Sequence, residues 1–224
     1  MFTVPLLLTI YAGFTHAFEA DHLLAVSNIV SQRSNIKLSL KDGIFWGLGH
    51  ASAIFFIGIL MIVLKAGITE KSFHYFEATV GLMLIILAAY RLIKFFFSKK
   101  IQGHLHPHIN NGETHQHINI GTKNNYKHAH ALSYGVGLVH GLAGSGALVV
   151  IVLSQMKGTV DGLTYLIIFG MGCSIGMMLA SGLFSIPFSK KIMQANSLQS
   201  FLIVGSSLLC LFYGSKVIYE NIIL

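Results

Sequence analysis

Charge is what this sequence has least of: 10% of its 224 residues are Asp, Glu, Lys or Arg, against roughly 25% in soluble domains. Hydrophobic residues make up 54%, so most of the surface must face something other than water. Cysteine is scarce too. Cys173 and Cys210 both lie inside apolar runs, which excludes a disulfide framework and any Cys-x-x-Cys pair for zinc or redox chemistry. Without His-Glu-x-x-His there is no intramembrane metalloprotease, and without Gly-x4-Gly-Lys-Ser/Thr there is no loop to cradle ATP. Energy for any pumping then has to come from a gradient or a partner. A di-iron desaturase would need several histidine boxes, and one polar cluster is present; no enzymatic activity is expected. The start, Met1-Phe2-Thr3-Val4-Pro5-Leu6, has no basic region, so no cleaved signal peptide is expected and the first apolar run should be a span.

What is present is apolar sequence in blocks. A hydrocarbon core about 30 Å thick takes about 20 helical residues. Six segments qualify: Pro5–Val30, Ile44–Leu64, Phe76–Phe97, Leu132–Leu153, Leu163–Phe188 and Leu198–Ile218. The net charge of +7 reads as the basic bias of cytoplasmic loops rather than as a nucleic-acid surface. The first, third and fifth connections hold eleven basic residues: Arg33, Lys37, Lys41, Arg91, Lys94, Lys99, Lys100, Lys123, Lys127, Lys190 and Lys191. The other side holds four, Lys65, Lys71, Lys157 and Lys216. The positive-inside rule puts the odd-numbered connections in the cytoplasm and both termini outside. The expected location is the cell (inner) membrane.

The chain also repeats itself. Gly13-Phe14-Thr15-His16 aligns with Gly137-Leu138-Val139-His140 at an offset of 124, and Gly47-Leu48-Gly49-His50 aligns with Gly170-Met171-Gly172-Cys173 at 123. Gly81 and Gly205 match again at 124. Three spans per repeat is an odd number, so the second half enters the membrane from the opposite side. The fold expected is therefore all-α and integral to the membrane: six transmembrane helices as two inverted three-helix repeats, an architecture used by secondary transporters. The divisions are 1–97, a polar connection 98–131, and 132–224.

His16-Ala17-Phe18-Glu19-Ala20-Asp21-His22 is the most informative stretch. An Asp at the centre of a membrane helix costs roughly 2.5–3.5 kcal/mol, so such a cluster faces a cavity or a ligand. Imidazole and carboxylate bind divalent first-row metals. At about 100° per residue, His16, Glu19 and His22 fall within roughly 120° of one another while Asp21 points about 140° from His16. Either Asp21 orients an imidazole from behind or the helix is unwound here, as at transporter ion sites. His50 follows Gly47-Leu48-Gly49 in the second span and is the next candidate ligand. His140, opening the equivalent motif of the second half, either completes the site or caps its cavity. Cys173, the counterpart of His50, reads as a small packing residue.

On these residues the chain resembles the nickel/cobalt transporter family, NiCoT. His16 to His22 fits that family's His-x4-Asp-His signature, and Gly47-Leu48-Gly49-His50-Ala51-Ser52 is similar to its Leu-Gly-His-Ser segment. His140-Gly141-Leu142-Ala143-Gly144-Ser145-Gly146-Ala147-Leu148 looks like the short branch named for urease accessory membrane proteins, the UreH type. The resemblance implies secondary transport of Ni2+ or Co2+, with His16, Asp21, His22 and His50 carrying it. It departs in two ways: the long importers of that family have eight spans where six are counted here, and their second-half motifs are missing.

The connection 98–131 holds His104, His106, His108, His115, His117, His128 and His130 among Gly, Asn and Lys. No apolar periodicity runs through it, so it is expected to be disordered and to bind metal loosely through His-x-His pairs. Export members of the family resemble this chain in having such a loop. The expected partners are a divalent ion and the bilayer, with no resident cofactor and no nucleic acid; a homo-oligomer is left open. Transport of Fe2+, Zn2+ or Mn2+ and metal export are the alternatives. Haem held between His50 and His140 is a remoter one, and the acidic cluster argues against an anion exporter.

Overall fold

The computed structural model describes residues 3–31, 33, 35–63, 69–101, 109–110, 113–114, 126–143, 158–188 and 196–223. Its helices are α1 Thr3–His16, α2 Ala20–Val30, α3 Ile36–Ile62, α4 Glu70–Ile101, α5 Tyr126–Ala143, α6 Thr159–Ser185 and α7 Asn196–Ile218. A 3-10 turn, Ile186–Phe188, extends α6, and a π turn, Tyr219–Ile223, follows α7. A two-residue hairpin, Ile109–Asn110 against Glu113–Thr114, is the remaining ordered pairing among the described residues. Four stretches are long and apolar enough to cross a membrane: Ile36–Ile62, Lys71–Phe97, Thr159–Phe188 and Ser200–Ile223. The described residues are thus almost wholly helical, with four stretches able to cross a membrane by length and composition.

The first expected span is two helices rather than one. Phe18 N–H donates to the Thr15 carbonyl (2.9 Å) and Glu19 N–H to the His16 carbonyl (3.1 Å), three-residue closures that tighten and end α1. Glu19 is then extended, at φ −66° and ψ 156°, and starts α2 without a side-chain cap. Its carboxylate turns back to His16 instead. The expected fourth span, Leu132–Leu153, is described as far as Ala143, and its remainder lies outside the described residues. Both α4 and α5 reach into the connection 98–131. Hydropathy marks where a bilayer ends, whereas backbone hydrogen bonding sets where a helix ends.

The outer surface is apolar, and the buried polar groups are gathered within an apolar core. Leu7, Phe56, Phe201 and Phe212 are exposed, while His22, His50, His140, Asn28 and Asp42 are buried. Burying ionisable groups inside the bundle while apolar side chains face outward is the arrangement expected in lipid. Helix α3 is central, with α5 on one flank and α6 on the other; α1 packs on α6, and α4 on α7. Helices α3 and α5 run in the same direction, since Asp42, Trp46 and His50 of α3 meet Ser133, Gly137 and Gly141 of α5 in that order. Helix α6 runs opposite to α3, with Gly43 at Met177 and Gly58 at Leu166. Helix α7 runs opposite to α4, with Gly81 at Gly214 and the Cys210 thiol 3.4 Å from the Leu84 carbonyl.

The α1–α6 and α3–α5 crossings are close enough that only glycine fits. A Cβ on Gly49 would run into the Tyr134 carbonyl, and one on Gly172 into the Ile10 carbonyl. Gly137 abuts the Trp46 carbonyl, and Gly13 abuts the Phe169 carbonyl. Small residues at helix crossings replace the hydrophobic drive that lipid removes. Gly205 has open space around it, so its match to Gly81 in sequence is not a match in packing.

Candidate metal centre

The α1–α2 break lies against the middle of α3 and gathers four imidazoles. His16 ends α1, His22 sits in the first turn of α2, His50 comes from α3 and His140 from α5. His16 is 3% exposed and the other three 0%, so bulk water does not satisfy them. Ring centroids are 4.7 Å apart for His16–His22, 5.3 Å for His16–His50 and for His22–His50, and 4.6 Å for His22–His140. One ligand atom from each of His16, His22 and His50 lies within 4.8 Å of the others, and the same holds for Asp21, His22 and His140. Metal–imidazole bonds of about 2.0–2.1 Å put ligands on opposite sides of an ion about 4.2 Å apart.

The hydrogen bonds behind the rings set their tautomers. His16 Nδ1 donates to Glu19 Oε1 at 2.8 Å, and His22 Nδ1 donates to Asp21 Oδ1 at 2.9 Å. Asp21 Oδ1 also accepts the His22 backbone N–H at 2.9 Å. His140 Nδ1 donates to the Val136 carbonyl at 3.2 Å. In each ring the proton sits on Nδ1 and the lone pair on Nε2, the way carboxylates and carbonyls orient metal-binding histidines. The Nε2 atoms of His16, His22 and His140, and both ring nitrogens of His50, are buried without a hydrogen-bond partner. A buried unsatisfied polar atom costs roughly 1–3 kcal/mol. Lone pairs that converge without protein partners suit a cation that accepts them.

The helix ends agree in sign. The carbonyl end of α1, carrying partial negative charge, faces the cluster, while Asp21 occupies the amino-terminal turn of α2, where partial positive charge favours a carboxylate. The break also resolves the angular conflict in the sequence. Asp21 belongs to the second helix and lies between His22 and His140, its Oδ2 3.8 Å from His140 Nε2. Glu19 serves His16 from a half-exposed position.

Two features escaped the sequence reading. Trp46, buried one turn before His50, stacks on His22 at 5.7 Å and borders His140 at 5.6 Å; the i, i+4 spacing from His50 was its signal. Asp42, one turn earlier again, is 1% exposed and accepts from Arg33 Nε (2.6 Å), Arg33 Nη2 (3.1 Å), His130 Nδ1 (2.8 Å) and Ser133 Oγ (3.1 Å). His130 therefore departs from its expected place in a loose loop: it lies on α5 and is held by Asp42, because α5 starts at Tyr126. His128 also falls on α5. His104, His106, His108, His115 and His117 lie outside the described residues.

A buried imidazole–carboxylate cluster at a helix break, among helices long and apolar enough to cross a membrane, defines the class: a helical membrane protein with a group of side chains that could hold a metal ion. The chain belongs to the NicO family, whose model, described as high-affinity nickel-transport protein, matches residues 3–202. It is a family of transport proteins, not of enzymes. Among curated relatives, a urease accessory protein UreH of Bacillus sp. (strain TB-90) is 32% identical over 177 residues, covering 79% of this chain and 74% of that protein. A putative nickel/cobalt efflux system of Methanocaldococcus jannaschii is 30% identical over 170 residues, covering 74% of this chain and 68% of that protein. A high-affinity nickel transport protein of Cupriavidus necator is 28% identical over 89 residues, 36% of this chain and 25% of that protein. No solved structure matches the chain.

Proposed function

We propose that this protein is a secondary transporter that carries Ni2+ or Co2+ across a cell membrane, with His16, His22 and His50 as the ligands of the ion. The observation that carries this reading is the convergence of their partnerless buried nitrogens within 4.8 Å of one another. Asp21 and Glu19 act from behind, each holding one imidazole by its Nδ1 proton. Nitrogen ligands suit Ni2+ and Co2+ better than they suit Mn2+, and the relatives are named for nickel and cobalt.

The transport mechanism in this reading is alternating access between two inverted halves, α1–α4 and α5–α7. Its support is the paired crossings. Gly49 on Tyr134 and Gly172 on Ile10 are the same contact shifted by 123 and 124 residues, as are Gly137 on Trp46 and Gly13 on Phe169. The alternation of helix directions fits six crossings. The basic excess puts the Asp42 end of α3 in the cytoplasm. In this reading His104, His106, His108, His115 and His117 bind ions with low affinity through their His-x-His spacing.

Flux of 63Ni2+ in proteoliposomes tests this, with ions loaded inside or outside to read direction and with Co2+, Zn2+, Fe2+ and Mn2+ as competitors. His16→Ala and Asp21→Ala are expected to lose most of the parent flux. Parent-level flux in both variants overturns the site, and absence of flux with every divalent ion in the parent overturns the function.

A further inference from the structure

Taking the transport reading above as its basis, we infer that Arg33 and Asp42 are positioning residues that form a latch. Joined, they hold α2 against α3, so that His22 meets His16 and His50. Parted, they let α2 swing out and carry His22 away from the ion. Helix α2 is short, Ala20–Val30, and is cut off from α1 at residues 17–19. The N–H groups of Phe18 and Glu19 close back on the Thr15 and His16 carbonyls, and Glu19 is extended. The helical ladder is interrupted there, and a few residues between two elements are where a hinge absorbs rotation.

Helix α2 packs on α4, α6 and α7, with little direct contact to α3. Asn28 Oδ1 accepts from Ser207 Oγ of α7 at 3.2 Å, and the Ser31 carbonyl accepts from Arg91 Nη2 of α4 at 2.9 Å. These bonds carry α2 along with α4 and α7, while the α2–α6 and α4–α5 contacts slide. Helices α3 and α5, by contrast, are locked together by the Gly49, Gly137 and Gly141 crossings. From the α2 segment, the ties to α3 and α5 are side chains. His22 and Asp21 lie against Trp46 and His140 at one end, and Arg33 binds Asp42 at the other.

Arg33 follows α2 directly, with its N–H on the Val30 carbonyl at 2.8 Å. Its Nε lies 2.6 Å from Asp42 Oδ2 and its Nη2 3.1 Å from Oδ1. A two-bond guanidinium–carboxylate pair fixes direction as well as distance, so it sets the angle at which α2 lies. Asp42 stays bonded without Arg33, because His130 Nδ1 at 2.8 Å and Ser133 Oγ at 3.1 Å also donate to it. Arg33, with its side chain 15% exposed, is within reach of water when it lets go. A bound ion ties His22 to His50 and favours the latched state. Unlatching strips one of the three proposed ligands, which turns capture into release.

Trp46 is the sequence's one tryptophan and stacks on His22 at 5.7 Å, so its fluorescence reads the position of α2 in the full-length protein. Without metal, Arg33→Gln is expected to shift the emission to the red and to raise the acrylamide quenching constant at least about threefold as the unlatched state gains population. Arg33→Lys, which keeps the charge and loses the two-bond geometry, should fall between Arg33→Gln and the parent. Saturating Ni2+ should return the emission maximum of Arg33→Gln to the parent's, because the ion favours the state in which His22 reaches it. The KM for 63Ni2+ flux should rise at least about fivefold in Arg33→Gln with maximal flux within about threefold, as expected when the binding-competent state is less populated. Parent-level quenching in folded Arg33→Gln overturns the latch. So does a red shift that Ni2+ leaves in place, which would mark loosened packing and not a second position of α2. If Arg33→Gln does not fold, Arg33→Lys decides alone, and quenching at the parent's level overturns the latch. A parent that moves no divalent ion overturns the transport reading instead, and the metal-free quenching order still decides for or against the latch.

Discussion

Asp42 Oδ1 lies 2.8 Å from His130 Nδ1, tying the start of α5 to α3 one end away from the histidine cluster. The same carboxylate takes two hydrogen bonds from Arg33, which follows α2. The three segments that carry His22, His50 and His140 are thus fastened at one buried acid.

That arrangement gives the first prediction. Asp42→Asn removes the charge that balances Arg33 and weakens the acceptor of His130 and Ser133, and breaking a buried pair from one side costs about 3–5 kcal/mol. A clear drop in the thermal midpoint in detergent is expected. Arg33→Ala in the same background should recover part of it, since the cation left unpaired is then gone. A melt equal to the parent's would remove Asp42 as a fastening point.

Glycine substitutions separate tight crossings from open ones. Gly49→Ala pushes a methyl group into the Tyr134 carbonyl, and overpacking of this kind costs about 1–3 kcal/mol. Gly205→Ala meets open space within α7 and should gain up to about 1 kcal/mol from helix propensity. Opposite shifts in the melting midpoint are expected; equal ones would contradict the described crossing.

The two acids behind the imidazoles should differ. Partners that orient metal-bound histidines are typically worth 10–100-fold in metal affinity. Asp21→Asn, largely enclosed beside His22, is expected at the upper end of that range. Glu19→Gln, whose carboxylate is half-exposed, falls at or below the lower end because solvent competes for the same bond. Nickel titrations of the two variants check the order, and a larger loss for Glu19→Gln would reverse the assigned roles.

Acid should weaken binding. Imidazoles bind metal only when neutral, so each ligand that takes up a proton as pH falls is lost to the ion. Nickel affinity is expected to fall more steeply with acid in the parent than in His50→Ala, which has one imidazole fewer. Equal pH slopes would place the ion on other groups.

Much of this was legible in the sequence. The membrane class followed from missing charge, and the His16–His22 cluster stood out because ionisable groups are costly in lipid. The angular conflict at Asp21 pointed to a distorted helix, and the break at Ala17–Glu19 is where α1 closes on three-residue bonds. Asp42 was not legible for a physical reason. Asp42 and His130 lie on helices that continue past their apolar stretches, which look the same in hydropathy as connections, and nothing in the sequence shows that Arg33, in the connection after α2, folds back on Asp42. Trp46 was hidden among apolar residues, and its role depends on which face of α3 meets α2 and α5.

The most direct measurement is X-ray absorption at the nickel edge on full-length protein loaded with less than one equivalent of Ni2+, in the parent and in His50→Ala. The expected parent spectrum shows imidazole scattering, and it changes in His50→Ala as a ligand is lost. A spectrum identical in the two proteins would contradict the account, because the ion would then be bound somewhere other than the cluster of His16, His22 and His50.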